Sequence, residues 1–358
     1  MLQKKMFALA IALVVLVGTL AGCGGTTPPP SSSQPAPSSE APSSETPKEL
    51  SGHIVIYTSE PQDLATEALD AFVKRHPKVT YELFRSGTGN VVSKIDTELQ
   101  TGKTEADIIW FADIGYIKQM DDKGLITHFS PEGAKKIDQQ YAYNNGMAHE
   151  VRLIYSVLAY NTTKVTNPPK DWMDVTGPDF KGTFAMANPN YSGGAFTALM
   201  VHTQYPDQVG WDFYTKAKAN DCKYEQSNGN LQTKVSSGEY SAVAIVDFMA
   251  RNAKNEGSPV EVVWPSSGAV LVPTPMALVS TIDAADLDAA KAFIEFMFET
   301  DTQKLFVEQG YIPVIEDAGV PEGAPKATEI KTLPFDLGYY VENSTAVREE
   351  YVKLFGAE

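Results

Sequence analysis

The sequence predicts an α/β fold made of two lobes joined by a hinge. Three observations carry that prediction. Short apolar runs alternate with segments of helical periodicity, the pattern of strands and helices around a parallel sheet. Two such alternating blocks lie in series along the 358 residues, a length sufficient for two domains. The chain also passes between the blocks twice, outward at "LIYSVLAYN" (153–161) and back at "PTPMALVS" (273–280). Residues 50–155 and 275–358 are therefore expected to form one lobe, and residues 156–274 the other.

The first block begins with "HIVIY" (53–57), a short buried strand. Residues 62–75 place Leu64, Ala68, Leu69 and Phe72 at helical spacing. "VTYELF" (79–84) reads as a second strand, residues 91–99 as a second helix, and "DIIWFA" (107–112) as a third strand. In the second block, "GTFAMANP" (182–189), "SAVAIVD" (241–247) and "VEVVWP" (260–265) read as strands, with a helix after Gly194. Residues 286–309 predict one or two helices opened by a capping aspartate.

The amino terminus predicts export. Lys4 and Lys5 precede an apolar run, Phe7 to Val17, too short to span a bilayer comfortably. Leu20-Ala21-Gly22-Cys23 then matches a bacterial lipobox, so residues 1–22 are expected to be removed and Cys23 to be lipidated. Residues 23–49, rich in Pro, Ser and Thr, predict a disordered tether reaching roughly 30 Å as a coil and about 80 Å as polyproline II. The expected location is the extracytoplasmic face of the cell membrane, held by the lipid. Cys222 is then the one other cysteine and is expected to be a buried small hydrophobe. The formal charge of −16 argues against nucleic acid and against general attraction to anionic lipid. No metal is expected, because the histidines (53, 76, 128, 149 and 202) show no ligand spacing. No cofactor is expected either.

In an open α/β sheet, ligands bind beyond the carboxyl ends of the strands. The residues there are Thr58 and Ser59, then Ser86, Gly87 and Thr88, then Asp113. "NPNYSGGAF" (188–196) repeats the same chemistry in the second block, with Ser192, Gly193 and Gly194 entering a helix. The first N–H groups of a helix lack internal partners and favour an anion. Glycine there is expected to admit a ligand close to the backbone and to tolerate φ > 0. Each loop also has a purely structural reading, as a turn or a helix cap. Asp113 and Asp247 carry the same ambiguity between cap and ligand contact.

Taken in order, "IVIYTS", "FRSGTG", "ADIIWFAD", "NPNYSGGA", "KVSSGEYSAVAIVD" and "GSPVEVVWPSSGAVLVP" resemble the extracellular solute-binding proteins of ABC importers. The similarity is to the branch holding ferric-ion, phosphonate and sugar-phosphate binders. It implies a type II periplasmic-binding-protein fold and no enzymatic activity. It also implies a membrane permease as partner, a monomer, and lobes that close on a small anionic solute. The ferric members bind through adjacent tyrosines, and this chain has Val246-Asp247-Phe248-Met249 at that place. The phosphonate and sugar-phosphate members imply that Thr58, Ser59, Ser86, Gly87, Thr88, Ser192, Gly193 and Gly194 hold a phosphoryl group, with Asp113 and Asp247 reading the other end. Ferric iron with a synergistic anion, or a thiamine-like cation, is the alternative within the family. A secreted hydrolase using Ser192 is the alternative outside it, although "YSGGA" lacks the Gly-x-Ser-x-Gly elbow. Tyr339-Tyr340 reads as packing.

Overall fold

The computed structural model describes residues 49–356, so the signal segment, Cys23 and nearly all of the expected tether lie outside the described residues. Residues 49–358 form a compact unit of their own. In chain order its elements begin β1 (Ser51–Thr58), α1 (Gln62–Arg75), β2 (Lys78–Arg85), α2 (Thr88–Leu99), β3 (Ile108–Trp110), α3 (Ile114–Asp122) and β4 (Ile126–Thr127). Next come β5 (Ala142–Tyr143), β6 (Ala148–His149), β7 (Arg152–Leu153), β8 (Tyr155–Asn161), β9 (Phe184–Ala187), α4 (Gly193–Thr203) and α5 (Gly210–Ala219). They continue with β10 (Lys223–Glu225), α6 (Asn228–Ser237), β11 (Ala242–Val246), α7 (Asp247–Asn255), β12 (Val260–Val263), β13 (Val270–Leu271) and β14 (Met276–Val279). The last are α8 (Leu287–Phe296), α9 (Thr300–Glu308), β15 (Ile312–Pro313) and α10 (Leu337–Phe355).

Among the described residues these strands make two larger sheets and one small pair. The first sheet has the order β2-β1-β3-β14-β6-β5, with β4 on β14. The second has the order β10-β9-β11-β8-β12, with β13 on β8. Each contains a parallel triplet, β2-β1-β3 in one and β10-β9-β11 in the other. Both sheets are mixed rather than purely parallel. The returning strand β14 runs antiparallel to β3, and the outgoing strand β8 runs antiparallel to β11. Strand β8 follows the outgoing crossing and β14 the returning one, and each pairs within a single sheet.

Local chemistry explains the elements. Helix α1 buries Ala65, Ala68, Leu69 and Phe72, a single stripe at helical spacing, and stops before Pro77. Strand β3 is buried on both faces, and its sequence is accordingly Ile-Ile-Trp. Residues 286–309 form two helices, α8 and α9. The expected cap at Asp286 is not made. Its carboxylate instead accepts the His53 N–H at 2.6 Å, tying α8 to the start of β1. Cys222 is buried as expected, and burial pushes its thiol up to about 12.

Helix α10 packs on α3 and α4, which flank different sheets. Tyr340 stacks edge-on against Phe196, with ring centroids 5.6 Å apart, and its hydroxyl donates to Asp113 at 3.2 Å. The Arg348 guanidinium also lies over the Phe196 ring, 3.8 Å from its centroid.

Candidate functional site

A cavity of about 250 Å³ lies between the carboxyl ends of the two parallel triplets. From the first sheet it receives Ser59, Glu60 and Pro61 after β1, Arg85, Gly87 and Thr88 at and after β2, and Ala112 after β3. The second sheet supplies Tyr191 to Gly194 after β9, Gln226 to Gly229 after β10, and Val246, Phe248 and Met249 at the end of β11. Ile154, Val272 and Thr274 on the crossover segments complete the lining. The amino ends of α1, α2, α4, α6 and α7 all border this space. Their leading N–H groups carry partial positive charge that no helical carbonyl satisfies.

Six of the ten residues singled out from sequence for the ligand come together here: Ser59, Gly87, Thr88, Ser192, Gly193 and Gly194. Ser192 is the N-cap of α4, its Oγ accepting the Ala195 N–H at 3.3 Å, and Asn228 Nδ2 approaches the same oxygen at 3.5 Å. Ser59 Oγ accepts the Ala112 N–H at 3.4 Å.

The expected role of the glycines needs correction. Gly193 has no positive φ, and its missing Cβ makes room for protein. A Cβ at Gly193 would overlap Ala112 O and sit 2.7 Å from Thr88 Oγ1. One at Gly89 would sit 2.6 Å from Asn190 O, and one at Gly87 would sit 3.0 Å from Tyr191 O. The two glycine loops thus meet backbone to backbone, one from each sheet, along one side of the cavity.

The other four residues do not line the cavity. Thr58 is fully buried; its hydroxyl donates to Trp110 O at 2.6 Å and accepts the Glu60 N–H at 3.0 Å, bracing β1 against β3. Ser86 accepts from Asn90 Nδ2 at 3.1 Å. Asp113 takes the capping role, accepting the Tyr116 N–H at 3.0 Å on α3. Asp247 is fully buried and accepts from Arg251 Nη2 at 2.6 Å and from the Tyr155 N–H at 2.7 Å. Both carboxylates are thus engaged within the protein, and neither faces the cavity.

Sequence reading gave no role to Arg85 or Glu60, the two charged residues of the lining. Glu60 is buried and ion-paired with Arg152, whose guanidinium lies 3.7 Å from the Tyr311 ring centroid. Burial pushes the Glu60 carboxyl up, and Arg152 pulls it back down. Arg85 Nε donates to Glu60 O at 2.9 Å, and Arg85 takes part in no ion pair among the described residues. An arginine ending a strand just before a glycine loop was the available signal.

Two mixed sheets with a cavity between their strand ends define a two-lobed solute-binding protein of the type II periplasmic-binding-protein fold. Residues 103–338 match the bacterial extracellular solute-binding protein family, and the chain belongs to it. A probable ABC transporter periplasmic-binding protein of Sinorhizobium fredii is 23% identical over 267 residues, covering 71% of this chain and 74% of its own. The fructose-6-phosphate-bound periplasmic binding protein AfuA of Actinobacillus pleuropneumoniae superposes with a TM-score of 0.76 at 20% identity, covering 84% of this chain and 98% of that one. Iron-bound HitA of Pseudomonas aeruginosa superposes with a TM-score of 0.73 at 18% identity, covering 84% and 99%. The protein is thus an extracytoplasmic solute-binding protein of an ABC transporter, a class that binds small solutes and delivers them to a permease without turning them over. No helix among the described residues is long and apolar enough to cross a membrane.

Proposed function

We propose that the protein captures a small phosphonate or organophosphate in the interlobe cavity and hands it to the permease. It does so as a monomer tethered through lipidated Cys23, with residues 50–155 and 275–358 as one lobe and 156–274 as the other. The observation that supports this reading is the convergence of five helix amino ends and Arg85 on one small cavity. Charge-assisted bonds from N–H groups and guanidinium to an anion contribute roughly 1.5–3 kcal/mol each. A volume of about 250 Å³ is below the roughly 300–1,000 Å³ of sites for drug-sized molecules, which fits a compact solute.

Structures of this fold hold a sugar phosphate in one case and iron in another, so the fold does not choose between them. The lining does. Ferric iron favours several anionic oxygens. Here Tyr191 supplies one phenol, Glu60 is committed to Arg152, and no cluster of three His, Cys, Asp or Glu suited to a metal occurs among the described residues. A thiamine-like cation would face the same helix ends with its charge of the wrong sign. For a hydrolase, Ser192 has no base, since no histidine lines the cavity.

A thermal-shift screen of residues 49–358 tests the reading. The panel holds hexose phosphates, glycerol phosphates, phosphonates, inorganic phosphate, thiamine and ferric citrate. A ligand at about 100 times its Kd adds roughly 2.7 kcal/mol of stability, a readable shift. Stabilisation by a phosphoryl compound is expected. Stabilisation by ferric citrate or thiamine alone would reject the phosphoryl assignment.

A further inference from the structure

The charge balance inside the cavity narrows the solute further. We propose that the solute is a phosphoryl compound without an ammonium group, and that Arg85 is the residue that selects its charge. The inference rests on the phosphoryl reading above and adds a restriction to it.

An ammonium buried in a closed cleft needs an anionic partner, or its desolvation goes uncompensated. The sole carboxylate of the lining, Glu60, is already taken. Arg152 Nη2 donates to its Oε2, and the pair is almost fully buried, at 4% and 1% exposure. Asp113 and Asp247, the two acids that could have read an amine, are engaged elsewhere, as helix cap and as partner of Arg251. What faces the cavity instead is apolar or neutral. Ile154, Val272 and Met249 offer apolar contact, and Gln226 offers an amide. Such a wall suits carbon and hydroxyl groups.

The opposite sign of charge is well served. Arg85 is anchored through Nε to a backbone carbonyl rather than to an acid, and its terminal nitrogens make no ion pair among the described residues; the nearby Glu60 carboxylate, which Arg85 helps hold ionised, is already paired with Arg152. That leaves a planar two-donor fork for phosphoryl oxygens. Thr274 is a second, independent pointer to a bound acceptor or donor. It lines the cavity at 1% exposure, and its Oγ1 has no hydrogen-bond partner. Buried hydroxyls are ordinarily satisfied.

Matched pairs of solutes differing by one amine test this on residues 49–358 by titration calorimetry at pH 7. The pairs are ethylphosphonate with 2-aminoethylphosphonate, and glucose 6-phosphate with glucosamine 6-phosphate. In any pair that binds, the amine-free member is expected to bind roughly tenfold tighter or more. Arg85→Gln is expected to weaken the preferred solute by about tenfold to a hundredfold and to flatten its salt dependence. Arg85→Lys should restore part of the affinity, and the melting temperature without ligand should stay near that of the parent protein. Equal or tighter binding of the amine member, or unchanged affinity in Arg85→Gln, overturns the inference while leaving the phosphoryl reading in place. Failure of every phosphoryl compound to bind overturns both.

Discussion

Gly193 shows how a residue can be read correctly as important and for the wrong reason. From sequence, a glycine at a helix start means space for a ligand or a positive φ. In the structure its space is filled by Ala112 O and Thr88 Oγ1 of the facing loop. That distinction is not legible in a chain of letters, because the facing loop lies about a hundred residues away. Its consequence is measurable. Gly193→Ala is expected to weaken solute binding strongly while barely changing the melting temperature of the unliganded protein, since the lobes relieve the overlap by staying apart. Small-angle scattering at saturating solute should then give a larger radius of gyration than the parent protein under the same conditions. Parent affinity in the variant would mean that the loops need not meet. Asp247 is the converse case. Its place at a strand end looked like a ligand contact, yet its partner Arg251 is itself almost fully buried and also donates to Gly310 O. Asp247→Ala leaves that guanidinium without its acid, which costs about 3–5 kcal/mol. A large fall in melting temperature is expected, and a variant as stable as the parent would contradict the structural role.

The crossover segments carry the element-scale chemistry. Glu150 precedes β7 and accepts the Thr274 N–H at 2.9 Å from the returning segment, while Tyr143 OH donates to its other oxygen at 3.0 Å. It therefore joins the outgoing and returning chains at the floor of the cleft. Burial pushes its carboxyl up from 4.5 to about 8, with Arg152 pulling down and Glu60 pushing up nearby. A raised carboxyl means the folded state holds a proton that the unfolded chain has already lost. Stability from this group is complete below about pH 4.5, falls as pH rises towards 8, and is level above that. Melting temperatures measured from about pH 5 to about pH 9 should fall less in Glu150→Gln than in the parent; parallel curves would show that Glu150 does not titrate in this window. Legibility at this scale follows locality. Elements β1, α1, β2 and α2 repeat their apolar residues at a period that neighbours in sequence enforce, and they were readable. Strands β13, β14 and β15 are two to four residues long and exist because distant strands pair with them. Helix α10 is amphipathic towards two partners on different sheets, so its role emerges only once both sheets stand.

At the scale of the whole molecule, the proposed membrane tethering raises the question of what would keep the protein beside a permease. Its folded part supplies no span among the described residues, and its formal charge of −16 repels an anionic leaflet rather than adhering to it. In that reading adhesion comes from the amino-terminal segment, where Cys23 follows Leu20-Ala21-Gly22. Acyl chains contribute about 0.8 kcal/mol per buried CH₂, and two chains suffice for stable anchoring where one does not. Because residues 49–358 form their own compact unit, the anchor and the binding cleft should fail independently. Cys23→Ser is expected to move the protein from the membrane fraction to the soluble fraction of producing cells. Solute affinity of the released protein should equal that of residues 49–358 alone. Retention of the variant in the membrane fraction after a high-salt wash would reject lipidation at Cys23, and a changed affinity would show that the tether takes part in the cleft.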